Sequence, residues 1–108
     1  MAMTIDVLDQ GANVSERMKN FAEVMTREVL RGFEDWISRA TVRLRRKDGR
    51  YGQRRYVCDV RLETGALREL VFEAAAPYPH VAVERALEEL WTVLRHEAQR
   101  VSKSHVAA

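Results

Sequence analysis

Met3, Ile5 and Val7 alternate with Thr4, Asp6 and Leu8, a period of two that predicts a first strand over 3–8. Turn-forming residues follow over 9–13. Ser15 is placed to cap a helix, and Glu16 brings negative charge to its first turn. Met18, Phe21, Ala22, Met25, Val29 and Leu30 then recur at offsets of three and four, one apolar stripe of a helix that ends near residue 31, with Gly32 as its stop. Met residues on such a stripe read as core filling rather than as a soft binding surface. Phe33, Trp36 and Ile37 come next and are expected to pack under a sheet. Ala40, Val42 and Leu44 alternate with Thr41, Arg43 and Arg45, a second strand. Residues 47–52 form a turn around Asp48-Gly49, longer than a two-residue hairpin loop. Tyr56, Cys58, Val60 and Leu62 alternate with Arg55, Val57, Asp59, Arg61 and Glu63 in a third strand. Thr64-Gly65 turns the chain into a fourth strand over 67–74, with Leu70 and Phe72 facing one way and Glu69, Val71 and Glu73 the other. Residues 75–80 connect to the last helix, which Pro79 can open because its missing N–H costs nothing there. Val83, Ala86, Leu87, Leu90, Leu94, Ala98 and Val101 make that helix's apolar stripe. Residues 1–103 are expected to form one domain and 104–108 a flexible tail.

The predicted order is β-α-β-β-β-α, an α+β fold with a four-stranded sheet. Two amphipathic helices each need an apolar surface, so both are expected on one face of that sheet. The other face is then open to water. It carries Arg43, Arg45, Arg55 and Arg61 beside Asp59, Glu63, Glu69 and Glu73, some of them in cross-strand ion pairs.

Charge changes this picture. The chain has a formal net charge of only +2. Yet residues 39–61 hold nine basic residues against two acids, and the remainder holds nine against fourteen. The predicted hairpin is a cationic element on a slightly acidic body. Fifteen of the eighteen basic residues are Arg, whose planar fork suits phosphate. At 46% apolar and 31% charged over 108 residues, the composition is that of a soluble globular domain.

Other classes are poorly supported. No apolar run is long enough to span a membrane, and the N-terminus lacks the basic start of a signal peptide. Cys58, the one cysteine, has no disulfide partner within the chain and falls on the inward face of its strand as a buried thiol. These features fit a reducing cytoplasm. His80, His96 and His105 lack metal-ligand spacing. Glu88 and Glu89 point about 100° apart on a helix, so they are a solvated face rather than a carboxylate pair. Gly49 and Gly52 sit in a hairpin, not in a phosphate loop between strand and helix. The residues therefore suggest no enzyme, no cofactor and no small-molecule substrate. Binding of a polyanion through the hairpin and open sheet face remains, with each phosphate contact adding salt-sensitive affinity. Tyr51 offers a ring for base stacking; the plainer alternative makes it a turn residue and Tyr56 a core residue.

Several segments, read together, resemble the ribosome hibernation promoting factor family, which includes the ribosome-associated inhibitor proteins. The first is the entry to the helix, Asn13-Val14-Ser15-Glu16-Arg17-Met18-Lys19-Asn20-Phe21. The run Phe33-Glu34-Asp35-Trp36-Ile37-Ser38-Arg39-Ala40-Thr41-Val42-Arg43-Leu44 is similar to the family's approach to its second strand. Arg54-Arg55-Tyr56-Val57-Cys58-Asp59-Val60-Arg61-Leu62 is similar to the third strand of small, divergent members. Ala82-Val83-Glu84-Arg85-Ala86-Leu87-Glu88-Glu89-Leu90 resembles the start of the second helix. The resemblance spans roughly residues 3–100 and rests on pattern rather than on one sharp signature. It implies docking on the small ribosomal subunit through ribosomal RNA, and silencing of translation under stress or in stationary phase. It also implies a short form, which would need another hibernation factor to pair ribosomes.

The family's helices supply much of its RNA contact through basic residues. Here Glu89, Thr92, His96 and Ala98 stand at such places in the second helix, and Met25 or Thr26 and Glu28 in the first. The candidate RNA-binding residues are accordingly Arg43, Arg45, Arg46, Lys47, Arg50, Arg54, Arg55 and Arg61 in the hairpin, with Lys19, Arg95 and Arg100 on the helices. The alternative is a non-ribosomal module that holds an acidic protein or RNA with the same hairpin and sheet face.

Overall fold

In the computed structural model, which describes residues 3–65 and 68–107 and side chains as far as Glu97, the elements follow the expected order. They are β1 (Thr4–Asp9), α1 (Glu16–Val29), β2 (Ile37–Asp48), β3 (Arg54–Thr64), β4 (Glu69–Ala76) and α2 (Pro79–Ala107). The sheet order is β1-β2-β3-β4, with β1 parallel to β2 and the other pairs antiparallel. The parallel pair needs a crossover, and α1 supplies it. α1 packs on β1, α2 packs on β3 and β4, and the helices touch each other.

Period-two patterning accounts for the core. Ala40, Val42 and Leu44 of β2 and Cys58, Val60 and Leu62 of β3 are all fully buried and share the helix-covered face. Val42 lies opposite Val60, and Leu44 opposite Cys58. From the helices come Ala22, Ala82, Val83, Ala86, Leu87, Leu90 and Leu94, with Leu30 just past α1. Met18, Phe21, Met25 and Val29 pack against them, as their stripe predicts. Thr26 is also fully buried, and its hydroxyl donates to the Ala22 carbonyl at 2.7 Å, so it needs no partner outside its own helix.

Local signals set the ends of the helices. Ser15 Oγ accepts from the Met18 N–H at 3.1 Å, the expected N-cap. Gly32, at φ +93°, occupies the left-handed conformation that releases the chain after α1. Pro79 is the first residue of α2. The backbone of α2 is helical to Ala107.

Other boundaries differ from the sequence reading. β2 begins at Ile37, which is buried and pairs with Thr64. It runs to Asp48, because the ladder continues through Lys47↔Arg55 and Asp48↔Arg54 after apolar alternation has ceased. The loop is thus residues 49–53. β4 extends to Ala76, since β3 offers Val57 and Tyr56 as partners to Ala75 and Ala76. Small Ala residues carry no alternation from which such pairing could be read. The expected start of β4 at Leu67 lies outside the described residues. Trp36 does not pack under the sheet: it is 38% exposed at the rim, edge-on to Phe33 at a centroid distance of 6.0 Å.

Asp9 organises the link from β1 to α1. Its Oδ1 accepts from the N–H groups of Ala12 (2.8 Å) and Asn13 (3.0 Å), and its Oδ2 from Val14 (2.8 Å). Burial pushes the carboxyl pKa up, but these three backbone bonds and the nearby Lys19 charge outweigh it and leave the pKa below its ordinary 3.8. Asp9→Ala removes the acceptor and should cost about 2 kcal/mol in urea unfolding. The wild-type carboxylate stabilises the fold fully above its unfolded pKa, and this contribution is lost as pH falls through the lower folded value. Urea midpoints should therefore drop more steeply for wild type than for Asp9→Asn in acid. Cys58 is fully buried and its thiol is pushed up to about 12, first by burial and then by the Asp59 charge. It should resist thiol reagents in the native protein and react at once in denaturant.

Candidate nucleic-acid interface

From Arg43 to Lys47, β2 alternates cations outward with apolar residues inward, and β3 presents Arg55, Val57, Asp59, Arg61 and Glu63 on the same outward side. The outward face of the sheet is therefore a lattice of charges, and most of them find partners. Arg43 lies directly across from Asp59, and its Nη2 reaches Oδ2 at 2.6 Å while Nε donates to both carboxylate oxygens at 3.2 Å. This hydrogen bond, with the Asp59 charge, raises the Arg43 pKa above its ordinary value. Arg45 pairs with Glu73 at 3.2 Å, and Arg39 with Asp6 at 3.6 Å. Arg61 Nε stands 2.8 Å from Glu69 Oε1, but its N–H is not aimed at that oxygen and makes no hydrogen bond. That pair is a close charge contact without a directional bond.

The face is also less open than expected. Val57 is 7% and Asp59 4% exposed, although both lie on the outward side of β3. Their neighbours across the ladder include Arg43, Arg45 and Glu73, whose long side chains flank the strand centre. The middle of this face is thus a set of self-paired charges, and Arg43, Arg45 and Arg61 are occupied within it.

The tip of the hairpin differs. Lys47, Arg50, Arg54 and Arg55 are exposed and have no ion-pair partner within 4 Å among the described residues. Lys47 and Arg55 face each other on the outward side. Arg46 is bound to Asp48, Nε to Oδ1 at 3.1 Å. That bond lowers the Asp48 pKa against the opposing effect of burial, and the charges of Arg46 and Arg54 lower it further. One acid therefore serves the whole tip. Gly52, at φ +75°, shapes the loop, with its N–H donating to the Gly49 carbonyl.

Topology brings more positive potential to the same end. Asp9 is level with Leu44, so α1 starts there; Ala76 is level with Tyr56, so α2 starts there too. The dipole of α1 is met by Glu16, whereas the first turn of α2 contains no acid. The first acid of α2 is Glu84.

The helix candidates do not join the tip group as one patch. Lys19 is near the hairpin end but is bound to Glu16 at 3.1 Å. Arg95 lies about 24 Å along α2 from its start, with its guanidinium carbon 5.2 Å from the centroid of the Trp91 ring. Arg100 is on the helical backbone, with its side chain outside the described residues. Farther along α1 the charges pair as Glu23–Arg27 and Glu28–Arg31, while Arg17 in its first turn is exposed with no ion-pair partner within 4 Å among the described residues. An apolar cleft of about 340 Å³, lined by Trp36, Thr64, Arg68, Leu70, Leu94 and Glu97, lies at the opposite end from the hairpin tip. Among the described residues there is no cluster suited to a metal ion, and no helix is long and apolar enough to cross a membrane.

Two features escaped the sequence reading. One is the cation–π contact of Arg95 with Trp91, whose i, i+4 spacing was the available signal. The other is the Tyr78–His80 pair flanking Pro79, with ring centroids 5.9 Å apart.

Two solved structures share this fold. A ribosomal subunit interface protein from Coxiella burnetii matches with a TM-score of 0.73 and 15% sequence identity, covering 90% of this chain and 99% of that one. The N-terminal domain of Protein Y from Thermus thermophilus matches with a TM-score of 0.67 and 14% identity, covering 89% and 98%. No family model matches the sequence, and no curated protein matches it closely enough to count as a relative. The fold expected from the resemblance is present; at these identities individual residue roles do not carry across.

The outward lattice yields a ranked prediction. Removing one partner of a buried pair strands the other charge, whereas an exposed pair contributes little. Asp59→Ala should therefore lower the melting temperature clearly, and Glu73→Ala by much less, in parallel thermal scans.

Proposed function

We propose that this protein docks hairpin-first on the small ribosomal subunit through ribosomal RNA and inhibits translation as a cytoplasmic stress or stationary-phase factor. The observation that carries the reading is the placement of Lys47, Arg50, Arg54 and Arg55 at one end of a fold shared with a ribosomal subunit interface protein. Unpaired cations release counterions from an RNA backbone without first breaking internal ion pairs. Arg43, Arg45 and Arg61 would have to give up carboxylates to do the same. The footprint is thus smaller than the full set of hairpin arginines. It also differs from one carried by the helices: Thr26 is buried, and the exposed charges of α1 are largely paired.

Binding of an acidic protein is the second reading, favoured by the same tip charges. Co-sedimentation with ribosomes across a salt series separates the two. The ribosomal reading expects the protein to pellet with the small subunit, to compete with transfer RNA, and to slow translation in an extract. Four phosphate contacts would give a log–log salt slope of about −3. Changing Lys47, Arg50, Arg54 and Arg55 to Glu should abolish pelleting while leaving the thermal melt nearly unchanged. Absence of ribosome association even at low salt would sink the proposal. Loss of binding in Arg95→Glu, with the hairpin variant unaffected, would move the site to α2.

A further inference from the structure

We infer that the hairpin end takes an unpaired, single-stranded stretch of RNA, with bases stacking on the Tyr78–His80 pair and the phosphate backbone held by Arg54. This rests on the proposed RNA-binding role and adds the form of RNA and the side chains that select it.

The strand register places the aromatic pair. Tyr56 is level with Ala76, so Arg55 and Arg54 stand one and two residues beyond the last paired position of β4. The chain leaves β4 at that level, and Tyr78 is only two residues past Ala76. The exposed aromatic pair, at the start of α2, therefore lies at the hairpin end of the sheet, and Arg54, in phase with Tyr56 and Cys58, is on the same helix-covered side with no ion-pair partner within 4 Å among the described residues. Tyr78 is 62% exposed, and its ring and that of His80 are tilted by 33° at a centroid distance of 5.9 Å. Pro79, the first residue of α2, lies between the two in sequence. Tyr51, 85% exposed in the loop, adds a third ring at the far side of the cation cluster.

Aromatic rings interleaved with cations suit a single strand. Its bases present their faces to the protein, and its backbone can follow a line of positive charge. A duplex keeps its bases stacked on each other and offers phosphates alone, so the exposed rings would add nothing to its binding. The self-paired sheet face supplies no broad cationic surface for a helix to lie on.

Fluorescence anisotropy with a labelled uridine oligonucleotide and a duplex of equal length tests the inference on the full chain. The single strand should bind at least about tenfold more tightly. The double substitution Tyr78→Ala with His80→Ala should weaken single-strand binding by about tenfold without changing its salt slope, because stacking releases no counterions. Tyr78→Phe in the wild-type background should bind like wild type, which separates loss of the ring from damage to the fold. Equal affinity for duplex and single strand, or an unchanged affinity in the double variant, would overturn the inference. Ribosome pelleting is scored separately. Pelleting with no preference for single strands rejects only the stacking site; single-strand binding with no pelleting rejects only the ribosomal address.

Discussion

The register of β2 against β3 is the constraint on which the rest of the molecule depends. With Val42 set opposite Val60, the residues Ala40, Val42, Leu44, Cys58, Val60 and Leu62 face the helices, and Arg43, Arg45, Asp59 and Arg61 face away. A slip of β2 by one residue would turn Val42 and Leu44 to solvent and drive Arg43 and Arg45 into the core. The same register sets Arg43 directly across from Asp59, so the choice that buries the core also forms the most enclosed ion pair of the outer face. Core packing and surface electrostatics are two results of one alignment.

That alignment has a further effect along the strand axis. Carboxylates at Asp59, Glu69 and Glu73 answer Arg43, Arg61 and Arg45 across the middle of the sheet. Near the turn the ladder continues but the acids run out, apart from Asp48. Charge is thus cancelled over the sheet and left over at the hairpin tip. Both helices begin at this end because β1 and β4 run towards it. The proposed RNA binding is accordingly assigned to one end of the domain, and the helices supply the apolar cover of the sheet.

Much of the fold could be read from the chain because period and capping are local. The stripe from Met18 to Leu30, the Ser15 cap, the Gly32 stop and the Pro79 start each needed only neighbouring residues, and each is present. The reading weakened where partners lie far apart in sequence. Lys47 and Asp48 belong to β2 because Arg55 and Arg54 face them, and Ala75 and Ala76 belong to β4 because β3 holds them. No local alternation marks either extension. Trp36 stayed 38% exposed, edge-on to Phe33, although its apolar ring suggested burial.

For the candidate site, the sequence by itself determined that positive charge concentrates in the hairpin, because that follows from counting residues. It also determined that these arginines alternate with apolar positions. Only the tertiary structure decided which of them are free. Arg45 and Glu73 are 28 residues apart, and their pairing exists only once β2, β3 and β4 lie side by side. Likewise, only the folded chain brings Tyr78, just past the end of β4, to the hairpin end of the sheet. Ion pairing between strands is a long-range, geometric property: a sequence supplies the charges, and the sheet decides which of them cancel.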